Sequence, residues 1–129
     1  MSPARAAVED VGVLASRRET RDELARYLGE SGFRADFLTR LSDDELRPSA
    51  RAVVLFPDDF EIAAVRRFLD RLRIRRPDLL IVVVTRAPIV LEPAVRARDG
   101  ATTPVVLPRP PFGWSIVDLL RSHVGTNRR

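Results

Sequence analysis

The stretch "RAVVLFPDDFEIAAVRRFLDRLRIRRPDLLIVVVT", Arg51 to Thr85, decides the fold. Its two ends, Arg51–Phe56 and Leu79–Thr85, are apolar runs dense in Val and Ile without strict alternation, the pattern of strands buried on both faces. Between them, from Phe60 to about Arg75, the residues Ile62, Val65, Phe68, Leu69 and Leu72 recur at spacings of three and four. That is one apolar face of a helix, and Pro77 lies just beyond its end. A strand, a helix and a second strand joined this way form a right-handed parallel unit, and both strands are expected at the centre of a sheet.

The flanking sequence extends the same alternation. Val11–Ala15, "VGVLA", is a further buried strand, followed by Ser16 and Glu19 at capping-box spacing and a helix expected to reach about Leu28. Glycine in "GESGF" supplies the stop. Arg34–Thr39 alternates imperfectly, as a half-exposed strand does. Ser42 and Glu45 repeat the capping spacing, but Pro48 restricts the second helix to a short or irregular one. Beyond Thr85, "APIVLEPAVRARDG" carries two prolines and offers a broken or short helix, "TPVVLP" is a proline-bounded edge strand, and Ile116, Val117, Leu120 and Val124 mark a last helix. The expectation is a doubly wound α/β domain, a (βα)5 three-layer sandwich with parallel strand order 2-1-3-4-5, spanning residues 10–124. Residues 1–9 read as a flexible amino terminus and 125–129 as a frayed tail.

Composition narrows the chemistry. The 129 residues contain no cysteine and one histidine, His123, which removes disulfides, thiol nucleophiles and thiolate metal sites. His123 itself reads as a surface residue favourable to a helix carboxyl end. All 22 basic residues are arginine, and the net charge of +4 is weak evidence about partners. No apolar run approaches the ~18 residues that suggest a membrane span, and no signal core precedes the first strand, so the expected location is the cytoplasm.

With the strands placed, the chain resembles the receiver domain of two-component response regulators, a flavodoxin-like fold, from Val11 to Val124. Thr85, closing "IVVVT", matches the family's hydroxyl position, and "PRPPF" resembles its Lys-Pro-aromatic signature with Arg109 for the lysine and Pro110 for the proline. The resemblance also implies an acidic Mg²⁺ pair after the first strand and a phosphate-accepting aspartate at the end of the third. Here Ala15 and Ser16 stand at the acidic pair, Pro57 stands in the acceptor column with Asp58 and Asp59 behind it, and Val106 replaces the aromatic switch residue. An arginine fork does not reproduce a lysine point charge. The implied protein is a pseudo-receiver without catalysis, metal or cofactor, which acts by binding another protein; a homodimer is compatible with this.

The individual motifs also have plainer readings. Asp58 and Asp59, just before Phe60, are ordinary residues for starting a helix. The alternative, an atypical receiver phosphorylated on Asp58 with Mg²⁺, lacks acidic partners from the first strand. Such partners could come only from Asp59, or from Glu9 and Asp10 at that strand's wrong end. "RRFLDRLRIRR" lines Arg67, Arg71 and Arg75 along one helical face. This suits a solvated surface better than a nucleic-acid module, because neither a recognition motif nor a stacking platform accompanies the charges. Phe112 and Trp114 are core residues at the last strand-to-helix junction or, if half-exposed, anchors of a partner surface with Val106. Arg109 is expected to pair with Asp58. A small-anion site at "ASRRE", which includes Arg17, lacks a glycine-rich loop.

Overall fold

The computed structural model describes residues 9–38, 40–87, 104–107, 116 and 118–122. Their elements run β1 (Glu9–Leu14), α1 (Arg18–Glu30), β2 (Phe33–Phe37), a 3-10 turn (Asp43–Glu45), β3 (Ala50–Leu55), a second 3-10 turn (Pro57–Asp59), α2 (Ile62–Arg75), β4 (Leu80–Val84) and β5 (Val105–Leu107). Residues 116 and 118–122 are helical. The five strands are all parallel in the order β2-β1-β3-β4-β5, as expected from the sequence.

The strand order follows from burial. β4 is buried at every residue and β3 at all but Arg51, whereas β2 and β5 are largely half-exposed and form the edges. Successive side chains of β3 point to opposite faces and so build two cores. Ala52, Val54 and Phe56 join Val11, Val13, Leu24, Leu28, Ile116 and Leu120 on one side. Val53 and Leu55 join Leu14, Val65, Phe68, Leu69 and Leu72 on the other. The apolar stripe of α2 is therefore buried as the sequence periodicity predicts; each of its four fully buried side chains is worth about 1.5–3 kcal/mol relative to exposure.

Two expected capping arrangements differ. The first helix starts one turn-position later than the Ser16 box implies: Arg17 is its N-cap, without a side-chain hydrogen bond, and the backbone N–H of Ser16 is used elsewhere. It continues to Glu30 and stops at Ser31 and Gly32, whose φ of +88° is the left-handed conformation that glycine adopts without strain. The Asp43–Glu45 turn is the short, irregular second helix that Pro48 dictates. Leu38, Leu41 and Leu46 on either side of it pack on the sheet in place of a full helix.

That compact cover is possible because of Gly12 in β1. A Cβ there would meet Leu46 Cδ1 at 2.8 Å, with Leu38 and Val53 at 3.5 Å. Arginines of α2 fix the same segment. Arg71 donates to the Leu41 carbonyl at 3.1 Å, Arg75 lies 3.7 Å from Asp44, and Arg76 donates to the carbonyls of Arg47, Pro48 and Ala50. The face expected to be solvated is exposed at Arg67, Arg71 and Arg75, and Arg71 and Arg75 also reach the 41–44 loop.

At the amino edge of the sheet Asp10 faces Arg34 directly in the β1–β2 register. Its carboxylate is 2% exposed and accepts two 2.7 Å contacts from the Arg34 guanidinium and a hydrogen bond from the Ser49 hydroxyl. The Arg34 hydrogen bond outweighs burial and holds the Asp10 pKa below the ordinary carboxylate range.

Two outcomes test this packing. Gly12→Val is expected to cost about 1–3 kcal/mol by overpacking. In urea unfolding, its effect combined with Leu46→Ala should be smaller than the sum of the two, because the shortened side chain removes the clash. A depressed carboxylate pKa stabilises the fold above the unfolded pKa and loses that contribution as pH falls through the folded value. The stability gap between the wild type and Asp10→Asn should accordingly be full at neutral pH and close in acid.

Candidate functional site

The carboxyl ends of β1, β3 and β4 converge, the place where open α/β sheets present functional groups. The ladder continues past β3 through Phe56, whose N–H donates to the Leu14 carbonyl at 2.9 Å. Pro57 then ends it, since proline has no N–H to continue a ladder and its fixed φ suits the first position of a helical turn. The turn closes with Asp59 N–H to Phe56 O at 3.1 Å and Phe60 N–H to Pro57 O at 3.0 Å.

This turn aims two consecutive carboxylates at two different neighbours. Asp58 Oδ1 accepts the Thr85 hydroxyl at 2.6 Å, and Asp58 Oδ2 accepts the Arg86 backbone N–H at 3.0 Å. Asp59 Oδ2 accepts the Ser16 backbone N–H at 2.9 Å. Thr85 is 2% exposed, its N–H donates to Leu107 O, and its hydroxyl accepts from Ala87 N–H at 3.1 Å, so the hydroxyl proton is directed at Asp58. The end of β3 is thereby tied to the ends of both β1 and β4 by charge-assisted hydrogen bonds.

The aspartates stand in the first turn of a 3-10 helix, as residues that start helices do, but they do not cap α2. α2 begins later, at Ile62, its N-cap is Glu61, and no side chain caps that residue's turn. A carboxylate close to three strand ends meets better-directed donors across the sheet than along its own chain. Sequence spacing shows an acid before a helix but not which N–H groups the neighbouring strands will present.

Carrying the strand registers two residues past Leu14, Leu55 and Val83 sets Pro57 level with both Ser16 and Thr85. Asp58 reaches Thr85 because the chain has already turned. Ala15 is buried beside the site and Ser16 is exposed. Among the described residues, no group of three or more His, Asp or Glu is placed to hold a metal ion. Val106 is half-buried in β5 against the α2-side core. Arg109, Pro110, Phe112 and Trp114 lie outside the described residues, so the expected Arg109–Asp58 pair and the Phe112–Trp114 surface do too.

The Asp10–Arg34–Ser49 cluster was not legible as a site, and its only trace in the sequence is the acidic pair Glu9 and Asp10 at the start of an apolar strand. It sits at the opposite end of the sheet from Asp58. A surface cavity of about 430 Å³ also lies at that end, lined by Pro48, Ala50, Arg51, Arg76, Asp78 and Leu79.

With this geometry in place, similarity to solved structures is informative. No protein-family model and no curated protein matches the chain in sequence. A CheY-like response regulator receiver domain from Methanospirillum hungatei superposes with a TM-score of 0.71 at 10% identity, covering 95% of this chain and 98% of that one. A receiver domain from Clostridium thermocellum gives 0.66 at 11% identity, over 94% and 98%. A Burkholderia pseudomallei protein proposed to be related to pilus assembly also gives 0.66, at 17% identity over 90% and 89%. The chain has the CheY-like receiver fold.

Thr85→Val removes the donor to Asp58 Oδ1 and the acceptor for Ala87 N–H while keeping shape. It should lower stability by about 1–3 kcal/mol in chemical unfolding. Thr85→Ser, which keeps the hydroxyl, should recover most of the loss.

Proposed function

We propose that this chain is a non-catalytic pseudo-receiver, a phosphorylation-independent protein-interaction module of bacterial signalling or regulation working in the cytoplasm. The observation that carries the reading is the use of Asp58: its two oxygens already accept the hydroxyl and amide at the end of β4.

The chemistry of the donor set supports it. Phosphoryl transfer to a carboxylate requires cationic charge to offset the approach of a dianion, and Mg²⁺ prefers anionic oxygen ligands in a near-octahedral arrangement. At the end of β1 stand a methyl group, Ala15, and a neutral hydroxyl, Ser16. Asp59, a further carboxylate close by, is bonded to the Ser16 N–H. This set does not suit Mg²⁺, and Pro57, level with Thr85, has no nucleophile.

The second reading, phosphorylation of Asp58 itself, draws on its exposure and its position beside Thr85. In it the attacking oxygen is one that already accepts a hydrogen bond from Thr85 or Arg86, which lowers its nucleophilicity. A protein partner is the natural target of a module of this fold that runs no chemistry. The like-folded protein proposed to be related to pilus assembly extends the candidates from signalling complexes to assembly machinery. Nucleic acid is disfavoured by the engagement of Arg71 and Arg75 with the 41–44 loop.

Incubation with acetyl phosphate and Mg²⁺, followed by intact-mass measurement, tests the reading. The expected spectrum contains only the unmodified chain. A phosphoryl adduct that disappears in Asp58→Ala would establish the second reading instead.

A further inference from the structure

We infer that the carboxyl end of the sheet is a small-oxyanion site occupied from within, with the Asp58 side chain as its permanent ligand. The inference rests on the reading of Asp58 as unphosphorylated and specifies what that residue does.

The donors that define the site belong to β4 and the residues after it. Thr85 Oγ1 points its proton at Asp58 Oδ1 over 2.6 Å, and Arg86 N–H approaches Asp58 Oδ2 at 3.0 Å. A hydroxyl and an amide presented to the two oxygens of one carboxylate form the arrangement a free carboxylate would select. The Thr85 hydroxyl is not free to turn away, because Ala87 N–H donates to it and the residue is buried. The Thr85 hydroxyl is thus held by a bond that does not involve the aspartate.

The occupant comes from another strand. Pro57 breaks the β3 ladder, and the 3-10 turn it starts delivers Asp58 across to β4 while Asp59 anchors the turn to Ser16 N–H on the other side. Covalent attachment replaces a bimolecular encounter with a fixed effective concentration, so a weak small-anion site becomes continuously filled. The consequence is a receiver fold whose Thr85 hydroxyl is held in one position without any added group, with the Thr85 and Arg86 donors already taken by Asp58.

Deleting the ligand and supplying it separately tests this. Asp58→Gly removes –CH2–COO⁻, and acetate returns that group in solution. In thermal unfolding at fixed ionic strength, with chloride as the reference salt, the variant should melt below the wild type, and acetate should raise its midpoint in a saturable manner. The wild type should not respond. The response should disappear in Asp58→Gly/Thr85→Val, and inorganic phosphate in place of acetate reports whether the site accepts a larger oxyanion.

An equal acetate effect on wild type and variant, or one that persists without Thr85, would overturn the inference. Should Asp58→Gly fail to fold, Asp58→Asn keeps the shape and removes the charge. Faster amide exchange at Arg86 is then expected, and unchanged exchange would count against the carboxylate as ligand. These outcomes are separate from the acetyl phosphate result: failed rescue in an unphosphorylated protein removes only the internal-ligand inference, whereas a phosphoryl adduct on Asp58 removes the reading beneath it.

Discussion

The structure depends on keeping β3 and β4 dry on both sides. A parallel pair has no solvated face, so every side chain along Val53–Leu55 and Leu80–Val84 must find an apolar neighbour, and every backbone N–H must find a carbonyl in the next strand. One face is supplied by α1 and the last helix, the other by α2 and the 38–49 segment. The strand order follows: the less buried β2 and β5 go to the edges.

Covering the second face without a full helix between β2 and β3 sets a further constraint. Three leucines of a short segment lie on the sheet there, Gly12 opens the space beneath Leu46, and arginines from α2 hold the segment's carbonyls. Arginine suits this work because its planar fork reaches several carbonyl oxygens at once, as Arg76 does with Arg47, Pro48 and Ala50. A row of charges that resembles an electrostatic surface in the sequence is, in part, loop scaffolding. The same economy operates at the amino edge, where buried Asp10 is balanced by Arg34 and Ser49 rather than left as an isolated charge.

At the opposite end, backbone geometry and chemistry meet. Proline closes β3, the turn begins, and two adjacent carboxylates are sent to separate strands. Ala15, Ser16 and Pro57 stand at these strand ends, and the Thr85 hydroxyl that follows β4 has a partner within the chain in Asp58.

Fold class, strand order, the central pair and the buried face of α2 were legible in the sequence, because they depend on hydrophobic periodicity and on proline and glycine, which act locally. So were the short second helix and the stop at Gly32. The destinations of the polar groups were not. Asp58 and Asp59 look like helix starters, Ser16 looks like a cap, and Arg71 and Arg75 look like solvated surface; the sequence did not show that each also bonds to a group 27 to 43 residues away in the chain or pairs with a distant loop. A hydrogen bond is decided by which donor lies within about 3 Å at a suitable angle. Strand register and the turn at Pro57 set that distance, and they exist only once the sheet has formed.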